Sequence, residues 1–174
     1  MIRIALTTGE PAGIGPEISV KAAEIFLKEN LDVQINLIGD RSLFKEDLHD
    51  RLVIQDTPLK AKVVPGHLDK SNARYVLNTL VHAIDGCLGG RYQAMVTAPV
   101  QKSIISESGI KFSGHTEYLA EKCGVALVVM MLCGKPVFNS DLLPKMLRVA
   151  LATTHIPLQD VSKNLSIDLL DQTV

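Results

Sequence analysis

The stretch Thr7–Glu17, which reads TTGEPAGIGPE, decides the fold expected for the first part of this chain. The residues before it, Ile2–Leu6, place apolar side chains at alternate positions, as a buried strand does. The residues after it, Ile18–Leu27, repeat apolar side chains at helical spacing. The stretch is therefore predicted to be a turn that leads from a strand into a helix.

The residue types within this turn favour an anionic ligand. Gly9, Gly13 and Gly15 allow backbone conformations closed to other residues and a close approach to a ligand. Pro16 suits the first helical position, and Glu17 complements the positive end of the helix dipole. Unpaired N–H groups at such a helix start bind phosphates and dinucleotides. The glycine spacing matches neither Gly-x-Gly-x-x-Gly nor the Walker pattern, so a tight turn without a ligand is an equal alternative.

Composition places the chain among ordinary globular proteins of the cytoplasm. It has 174 residues, of which 47% are hydrophobic and 21% charged, and its net charge of -1 gives no electrostatic case for nucleic acid or an anionic membrane. The longest apolar run, Val125–Cys133, is too short to span a bilayer, and Met1–Leu6 carries no secretory signal. Three cysteines without a C-x-x-C pair suit a reducing compartment. We therefore expect a cytoplasmic protein with neither membrane nor nucleic acid as a partner.

Strand and helix patterns alternate along the rest of the chain, which indicates an α/β fold with a largely parallel sheet. Further strands are predicted at Val33–Gly39, Leu52–Ile54, Ala61–Val64, Ala94–Ala98, Val125–Leu132 and Leu147–Thr153. Helices are predicted at Leu43–Leu48, from a cap at Ser71 or Asn72 to Leu88, at Lys102–Glu107, at Thr116–Lys122 and from Leu158 onward. The Ala94–Ala98 strand is apolar throughout, so both of its faces are expected to be covered.

A second candidate site follows that apolar strand. Thr97 stands at its carboxyl end, where open α/β sheets bind their ligands. Lys102 can meet a phosphate or a carboxylate, although an exposed lysine without a ligand is the commoner case. His115 and Thr116 begin the next helix, whose first N–H groups could receive an anion, while a plain N-cap remains the alternative for Thr116.

A third candidate is His155, which follows directly on the last predicted strand and stands two residues before Pro157. A single histidine at a strand end is usually a hydrogen-bonded structural residue. The other histidines do not pair with it at metal-ligand spacing. The residues alone therefore do not make His155 a ligand.

Three stretches together resemble a known family, the 4-hydroxythreonine-4-phosphate dehydrogenases of vitamin B6 biosynthesis. They are GEPAGIGPE at 9–17, GHTE at 114–117 and ATTHIPL at 152–158. The resemblance covers the chain end to end but only the N-terminal half of the family. It implies a three-layer αβα fold of the isopropylmalate dehydrogenase type, here incomplete, rather than a Rossmann fold. Residues 1–90 would belong to one lobe and residues 91–174 to the lobe that binds substrate and dimerises.

The resemblance implies an NAD- or NADP-dependent oxidation of 4-phosphooxy-L-threonine, assisted by a divalent metal. The product, 2-amino-3-oxo-4-phosphooxybutanoate, would lose carbon dioxide to give 3-amino-2-oxopropyl phosphate. A related dehydrogenase of phosphothreonate or phosphoerythronate shares the three stretches and stays an alternative. A truncated, non-catalytic fragment that only binds a ligand or dimerises is the other alternative.

The same resemblance assigns roles to individual residues. His115 and Thr116 would contact the substrate, with Lys102 as a further anion contact. His155 would be one of three histidines that bind zinc, magnesium or cobalt, the others lying outside this sequence and one coming from the partner in a homodimer with a shared active site. The nicotinamide end of the cofactor would lie near Gly13, Ile14, Gly15 and Glu17. No residue is assigned as the catalytic acid or base.

Absence of the family's other half would leave apolar sheet faces uncovered. We therefore predict that the 174-residue chain, purified alone, is poorly soluble or associates tightly. Size-exclusion chromatography with light scattering checks this prediction. A monodisperse monomer would contradict it.

Overall fold

The computed structural model describes residues 1–45, 47–134 and 146–174 of the chain. Six strands lie within the described residues: β1 Ile2–Thr7, β2 Val33–Gly39, β3 Leu52–Asp56, β4 Ala94–Thr97, β5 Met130–Gly134 and β6 Leu147–Leu151. The α-helices of the described residues are α1 Gly15–Glu29, α2 Ala73–Leu88, α3 Lys102–Glu107, α4 His115–Cys123, α5 Leu158–Asn164 and α6 Ile167–Thr173. Single 3-10 turns lie at Arg41–Leu43 and Lys70–Asn72.

The chain divides into two compact units, Met1–Gly124 and Val125–Val174. In the first unit four strands form a parallel sheet in the order β3-β2-β1-β4. β4 pairs with β1 and so joins residues beyond position 90 to the sheet of the N-terminal segment. The predicted lobe segments 1–90 and 91–174 concern the longer chain of the family and stay a prediction.

Helices cover both faces of this sheet, which confirms the predicted α/β class. Successive residues of β1 point to opposite faces: Leu6 packs in a cluster with Ala23 and Leu27 of α1, and Ala5 packs in a cluster with Ala83 of α2. A third cluster joins α2 to α3 and the loop before α4. The layers are thus α1 on one face and α2, α3 and α4 on the other.

β4 differs from the prediction because the described residues do not cover both of its faces. Its side chains alternate between exposed and half-buried, and Val96 is 52% exposed. The apolar sequence of Ala94–Thr97 is typical of a central strand, whereas β4 has a strand neighbour on one side only within the described residues. The sequence pattern shows which residues are apolar enough to be buried. It does not show which elements pack against them.

The predicted strand Ala61–Val64 is also wrong, since the structure shows only an isolated bridge between Val64 and His67 there. Side chains bind the backbone at the start of this segment and just before it. The Asp40 carboxylate accepts from the Leu59 N–H at 2.6 Å, and Asn72 Oδ1 accepts from the N–H of Ala61 at 2.9 Å. These bonds fix the entry to the segment as a loop.

Other elements differ in extent. The predicted helix Leu43–Leu48 is replaced by the 3-10 turn that Asp40 caps through the Ser42 N–H, with Glu46 outside the described residues. The strand predicted at Val125–Leu132 begins only at Met130, and the predicted final helix is two short helices. In the second unit β5 and β6 form an antiparallel two-stranded ribbon.

Candidate functional site

The turn after β1 and the loop after β4 meet at the carboxyl edge of the sheet. Thr7 pairs with Thr97 in the ladder, and beyond this pair the Glu10 N–H donates to the Pro99 carbonyl at 2.9 Å. β4 lies on the opposite side of β1 from β2, so the two loops leave the sheet where its strand order reverses. Ligands of open α/β sheets bind at this position.

Two of the three glycines in the turn are explained by packing within the chain. A β-carbon on Gly9 would overlap the Pro99 carbonyl, and one on Gly15 would overlap the Thr8 carbonyl. Gly9 also has a φ of +68°, which L side chains rarely adopt. Gly13 is exposed, and a β-carbon added to it would lie 3.4 Å from its nearest neighbour, the Glu10 carbonyl oxygen. Of the three glycines it is therefore the one that leaves room for a ligand.

The start of α1 keeps the features expected of an anion site. Ile14 takes the N-cap position without any side-chain cap, and its side chain is 64% exposed. Pro16 lies in the first turn, and Glu17 is exposed and pairs with Lys21 at 2.8 Å. Gly15 is buried, so its approach to a cofactor would be through the backbone. No observation tests the predicted cofactor role of Gly13, Ile14, Gly15 and Glu17, which stays a prediction.

Sequence reasoning missed a buried polar link that fixes this turn. The Tyr75 hydroxyl on α2 lies 3.0 Å from Thr8 Oγ1 and accepts from the Asp40 N–H at 3.2 Å. Tyr75 is 1% exposed, and burial raises the pKa of its hydroxyl. The contact joins the ends of β1 and β2 to α2 across residues distant in sequence, so no local pattern could have shown it.

Glu10 is a buried carboxyl group inside the turn. It is 6% exposed, and its Oε1 accepts one hydrogen bond, from the Ala12 N–H at 3.1 Å. Burial raises the pKa of Glu10 above 4.5, and the Ala12 bond opposes this only in part. Glu10 belongs to the stretch 9–17 that resembles the family. Its burial depends on the loop after β4, and the sequence pattern does not show that this loop lies beside it.

Replacing Glu10 by glutamine should change how stability depends on pH. A folded pKa raised above the unfolded value means that the folded state holds the proton more tightly, so stability falls as pH rises from about 4.5 through the folded pKa. A glutamine side chain does not ionise, and the gain in Tm of Glu10→Gln over the parent chain should therefore grow from acid to neutral pH. Glu17→Gln is the control, because Glu17 is exposed and its pKa is lowered by Lys21. A Glu10→Gln difference that does not change with pH would contradict the expectation.

Charged and polar side chains gather around Gly114 at the start of α4. Lys102 Nζ lies 2.9 Å and Glu117 Oε2 lies 3.0 Å from the position that a β-carbon on Gly114 would take. Gly114 itself has φ 155° and ψ 177°, a conformation almost confined to glycine. The glycine therefore provides both the turn into α4 and the space that these two side chains occupy. We call Lys102, Gly114, His115, Thr116 and Glu117 the Lys102–His115 site.

His115 supplies a neutral imidazole to the Lys102–His115 site. Burial lowers the pKa of His115, and the positive charge of Lys102 lowers it further, so the ring is uncharged at neutral pH. Its Nε2 is buried and finds no hydrogen-bond partner among the described residues. The ring packs edge-on against Phe112, with centroids 6.2 Å apart. A buried ring nitrogen without a partner is a position where a ligand hydroxyl or phosphate oxygen could bind.

The three side chains that accompany His115 in the Lys102–His115 site face solvent. Lys102, Thr116 and Glu117 are exposed, and α4 has no side-chain cap at Gly114. The charged atoms of Lys102 and Glu117 are not in ion-pair contact in the described part of the chain. The site therefore presents one cation, one carboxylate, one hydroxyl and a neutral imidazole at a helix N-terminus, a set suited to an anionic substrate.

His155 lies in the second unit and has an unusual backbone. Its φ of 57° is the one positive value found for a non-glycine residue in the part of the chain that the structure describes, and its side chain is exposed. Histidine is among the residues that tolerate this region, at a cost of about 1 kcal/mol or more. A strained histidine in a loop is more consistent with a functional residue than with a packing one.

Comparison with known proteins supplies the decisive observation. The profile of the family described as "Pyridoxal phosphate biosynthetic protein PdxA" matches residues 14–174. The chain belongs to the PdxA family.

Two curated relatives carry the same name. A 4-hydroxythreonine-4-phosphate dehydrogenase of Burkholderia vietnamiensis is 47% identical over 184 residues, covering 99% of this chain and 54% of the relative. One from Ralstonia nicotianae is 46% identical over 195 residues, covering 100% of this chain and 57% of the relative. The chain thus spans about half the length of the curated relatives it matches.

Solved structures confirm the PdxA fold. The crystal structure of a 4-hydroxythreonine-4-phosphate dehydrogenase from Burkholderia phymatum matches with a TM-score of 0.82 at 26% identity, covering 99% of this chain and 56% of that one. An enzyme of the same name from Klebsiella pneumoniae matches with a TM-score of 0.77 at 23% identity, covering 99% of this chain and 57% of that one, and shows the shared fold. The predicted resemblance and fold class are therefore both confirmed.

The metal that the PdxA resemblance implies is not accommodated by these residues alone. Within residues 1–45, 47–134 and 146–174, no three His, Cys, Asp or Glu side chains come together as a metal site. His155 could provide one imidazole ligand, and one ligand does not hold a divalent ion in place.

Among the helices of the described residues, none is both long and apolar enough to cross a membrane.

Proposed function

We propose that this chain forms the substrate-orienting part of an NAD- or NADP-dependent dehydrogenase of 4-phosphooxy-L-threonine. The reaction would yield 2-amino-3-oxo-4-phosphooxybutanoate, which decarboxylates to 3-amino-2-oxopropyl phosphate. Membership of the PdxA family supports this function. The single observation that carries it is the Lys102–His115 site, where Lys102 and Glu117 converge over Gly114 beside a neutral His115.

Each member of the site has a distinct task in this proposal. The Lys102 ammonium is a compact cation that binds the substrate's phosphate or carboxylate. His115 Nε2, buried and without a partner among the described residues, takes a hydrogen bond with a substrate oxygen. The exposed Thr116 hydroxyl lies in the first turn of α4, where helix N–H groups attract negative charge. Together they fix the substrate's orientation relative to the cofactor, which lowers the entropic cost of reaction.

A nicotinamide cofactor accepts the hydride when it is bound. We propose that the chain holds it beside the start of α1, where Gly13, Ile14 and Glu17 are exposed and Gly15 offers its backbone. The absence of a side-chain cap on α1 supports this placement, since uncapped helix N–H groups bind the pyrophosphate of dinucleotides.

For the metal we propose only that His155 supplies one ligand to zinc, magnesium or cobalt, with the remaining ligands from outside this chain. Cobalt substitution checks this. The isolated chain should give no absorption band of tetrahedral cobalt, and a fusion of residues 1–174 to the complementary half of the Burkholderia vietnamiensis relative should give one. His155→Asn should remove the band in the fusion while keeping the backbone conformation, because Asn also tolerates positive φ. A band that persists in His155→Asn would contradict the ligand role.

We also propose a cytoplasmic homodimer with an active site shared between the subunits. Apolar side chains of the β5–β6 ribbon support an interface in the second unit, since Met131 is 50% and Leu132 60% exposed. The three free cysteines support the cytoplasmic location.

An activity assay separates the proposed enzyme from a non-catalytic fragment. The 174-residue chain would be incubated with 4-phosphooxy-L-threonine, a divalent metal and NAD or NADP, alone and then fused to the complementary half of the relative. We expect reduced nicotinamide only from the fusion, and none from its His155→Ala variant. Parallel assays with phosphothreonate and phosphoerythronate as substrates distinguish the proposed activity from that of the related sugar-acid dehydrogenases. Full turnover by the unfused chain, or none by a folded fusion, would contradict the proposal.

A further inference from the structure

Two free thiols lie on helices that pack against each other. Cys87 belongs to the last turn of α2 and Cys123 ends α4, and neither takes part in a disulfide. Cys87 is half-buried beside Ala83 and Tyr92, whereas Cys123 is exposed. Neither cysteine belongs to the Lys102–His115 site or to the turn after β1. The pair therefore has no part in the function proposed above.

Both helices begin at the carboxyl edge of the sheet. At the start of α2, Tyr75 contacts Thr8, which lies just beyond the carboxyl end of β1. Gln93, which follows α2, donates its N–H to a carbonyl near the amino end of β1. α4 also starts at the carboxyl edge, because Lys102, which follows β4, lies against Gly114. α2 thus crosses the sheet from its carboxyl edge to its amino edge, and α4 begins beside the same edge.

Contacts along the two helices bring their last turns together. Leu119 of α4 packs against the core cluster that contains Leu80 and Ile84 of α2. One turn further along each helix, Cys87 follows Ile84 and Cys123 follows Leu119 on the same faces. Cα atoms of the two helices approach within 8 Å, and a disulfide joins Cα atoms up to about 7 Å apart. The two cysteines therefore occupy neighbouring positions at the ends of these helices.

The charge interaction between the two thiols supports this placement. Burial raises the pKa of the Cys87 thiol, and the negative charge of a Cys123 thiolate raises it further. Such an effect requires sulfur atoms that lie near each other. Cys123 is exposed and so meets an oxidant in solution first, and the half-buried Cys87 is placed to react with it afterwards.

We propose that Cys87 and Cys123 form a reversible disulfide between α2 and α4 on contact with a small disulfide oxidant such as oxidised glutathione. The Cys123 thiolate attacks one sulfur of the oxidant, whose S–S bond breaks and releases one glutathione thiolate. The Cys87 thiolate then attacks the Cys123 sulfur of this mixed disulfide and releases the second glutathione thiolate. The two protons lost by the cysteines pass to the two released thiolates, so two glutathione thiols leave for each bond formed.

The bond would restrain the helix that begins with His115 and Thr116. α4 has nine residues and is therefore about 13 Å long, so tying its last turn to α2 also limits where its first turn can lie. The NMR signals of the His115 ring should shift on oxidation, and unchanged signals would contradict this restraint. The formation of the disulfide does not depend on the proposed enzymatic activity.

Disulfide mapping of the 174-residue chain tests the proposal. The chain would be equilibrated with oxidised and reduced glutathione, its remaining thiols alkylated, and the product digested with pepsin at acid pH, where thiol exchange stops. Mass spectrometry then identifies the linked peptides. We expect the Cys87–Cys123 pair to exceed the Cys123–Cys133 pair about tenfold or more, because the fold raises the effective concentration of Cys87 at Cys123. An excess of reduced glutathione should reverse the bond.

The unfolded chain provides the matched control. Cys133 is nearer to Cys123 in sequence than Cys87 is, so loop closure in guanidinium chloride favours the Cys123–Cys133 pair. Cys133→Ser should leave the Cys87–Cys123 bond unchanged under native conditions. A native chain that forms mostly the Cys123–Cys133 bond, or that carries only glutathione on Cys123, would overturn the proposal.

Discussion

Lys102→Ala in the fused enzyme should lower kcat/KM for 4-phosphooxy-L-threonine about 100-fold, or about 2.7 kcal/mol of transition-state stabilisation. The ammonium lies 2.9 Å from the β-carbon position of Gly114, beside His115, and is not in ion-pair contact with Glu117 in the described part of the chain. Its charge is thus available for the substrate's phosphate or carboxylate. Steady-state kinetics with reduced nicotinamide as the readout measures the loss.

Lys111→Ala serves as the control for Lys102→Ala. Lys111 is exposed on the loop before α4 and belongs to no contact of the Lys102–His115 site, so kcat/KM should stay within about twofold. The pKa of His115 adds a second readout. Because the Lys102 charge lowers that pKa, the variant should raise it, and NMR titration of the ring follows the change. Equal losses for the two lysine variants, or an unchanged His115 pKa, would contradict the role of Lys102.

Gly9→Ala should destabilise the first unit by about 3 kcal/mol or more. A methyl group there overlaps the Pro99 carbonyl, and the φ of +68° adds the usual strain of an L residue in this region. The backbone cannot relax without breaking the Glu10–Pro99 hydrogen bond that joins the two loops of the site. Denaturant unfolding followed by circular dichroism measures the loss.

Gly90→Ala isolates the conformational part of this effect. Gly90 has a similar φ of +72°, but nothing lies within 4 Å of an added β-carbon. We therefore expect it to cost only about 1 kcal/mol. If Gly9→Ala cost no more than Gly90→Ala, the close packing of the two loops would not be what fixes the turn.

The sequence predicted what depends on local pattern. The strand, turn and helix around Thr7–Glu17 form as expected, and α3 spans Lys102–Glu107 as predicted. The start of α4 is also predictable, because a glycine followed by a polar helix start is a local signal. The class of fold follows from the alternation of these elements.

What the sequence could not predict depends on contacts between distant residues. The pattern alone suggests that Gly9 and Gly15 open the turn for a ligand, and the structure explains both by contacts with Pro99 and Thr8. The burial of Glu10 and the Thr8–Tyr75 link follow from loops that meet only in the folded sheet. The exposure of β4 follows from its place at the end of the described sheet, which no pattern within Ala94–Thr97 records.

The central claim, that the Lys102–His115 site binds the phosphorylated substrate, is tested most directly by a crystal structure of the fused enzyme with 4-phosphooxy-L-threonine. The account predicts a substrate oxygen within hydrogen-bond distance of His115 Nε2 and an anionic group of the substrate at Lys102 Nζ. A substrate bound elsewhere, with His115 Nε2 still unpartnered, would contradict it.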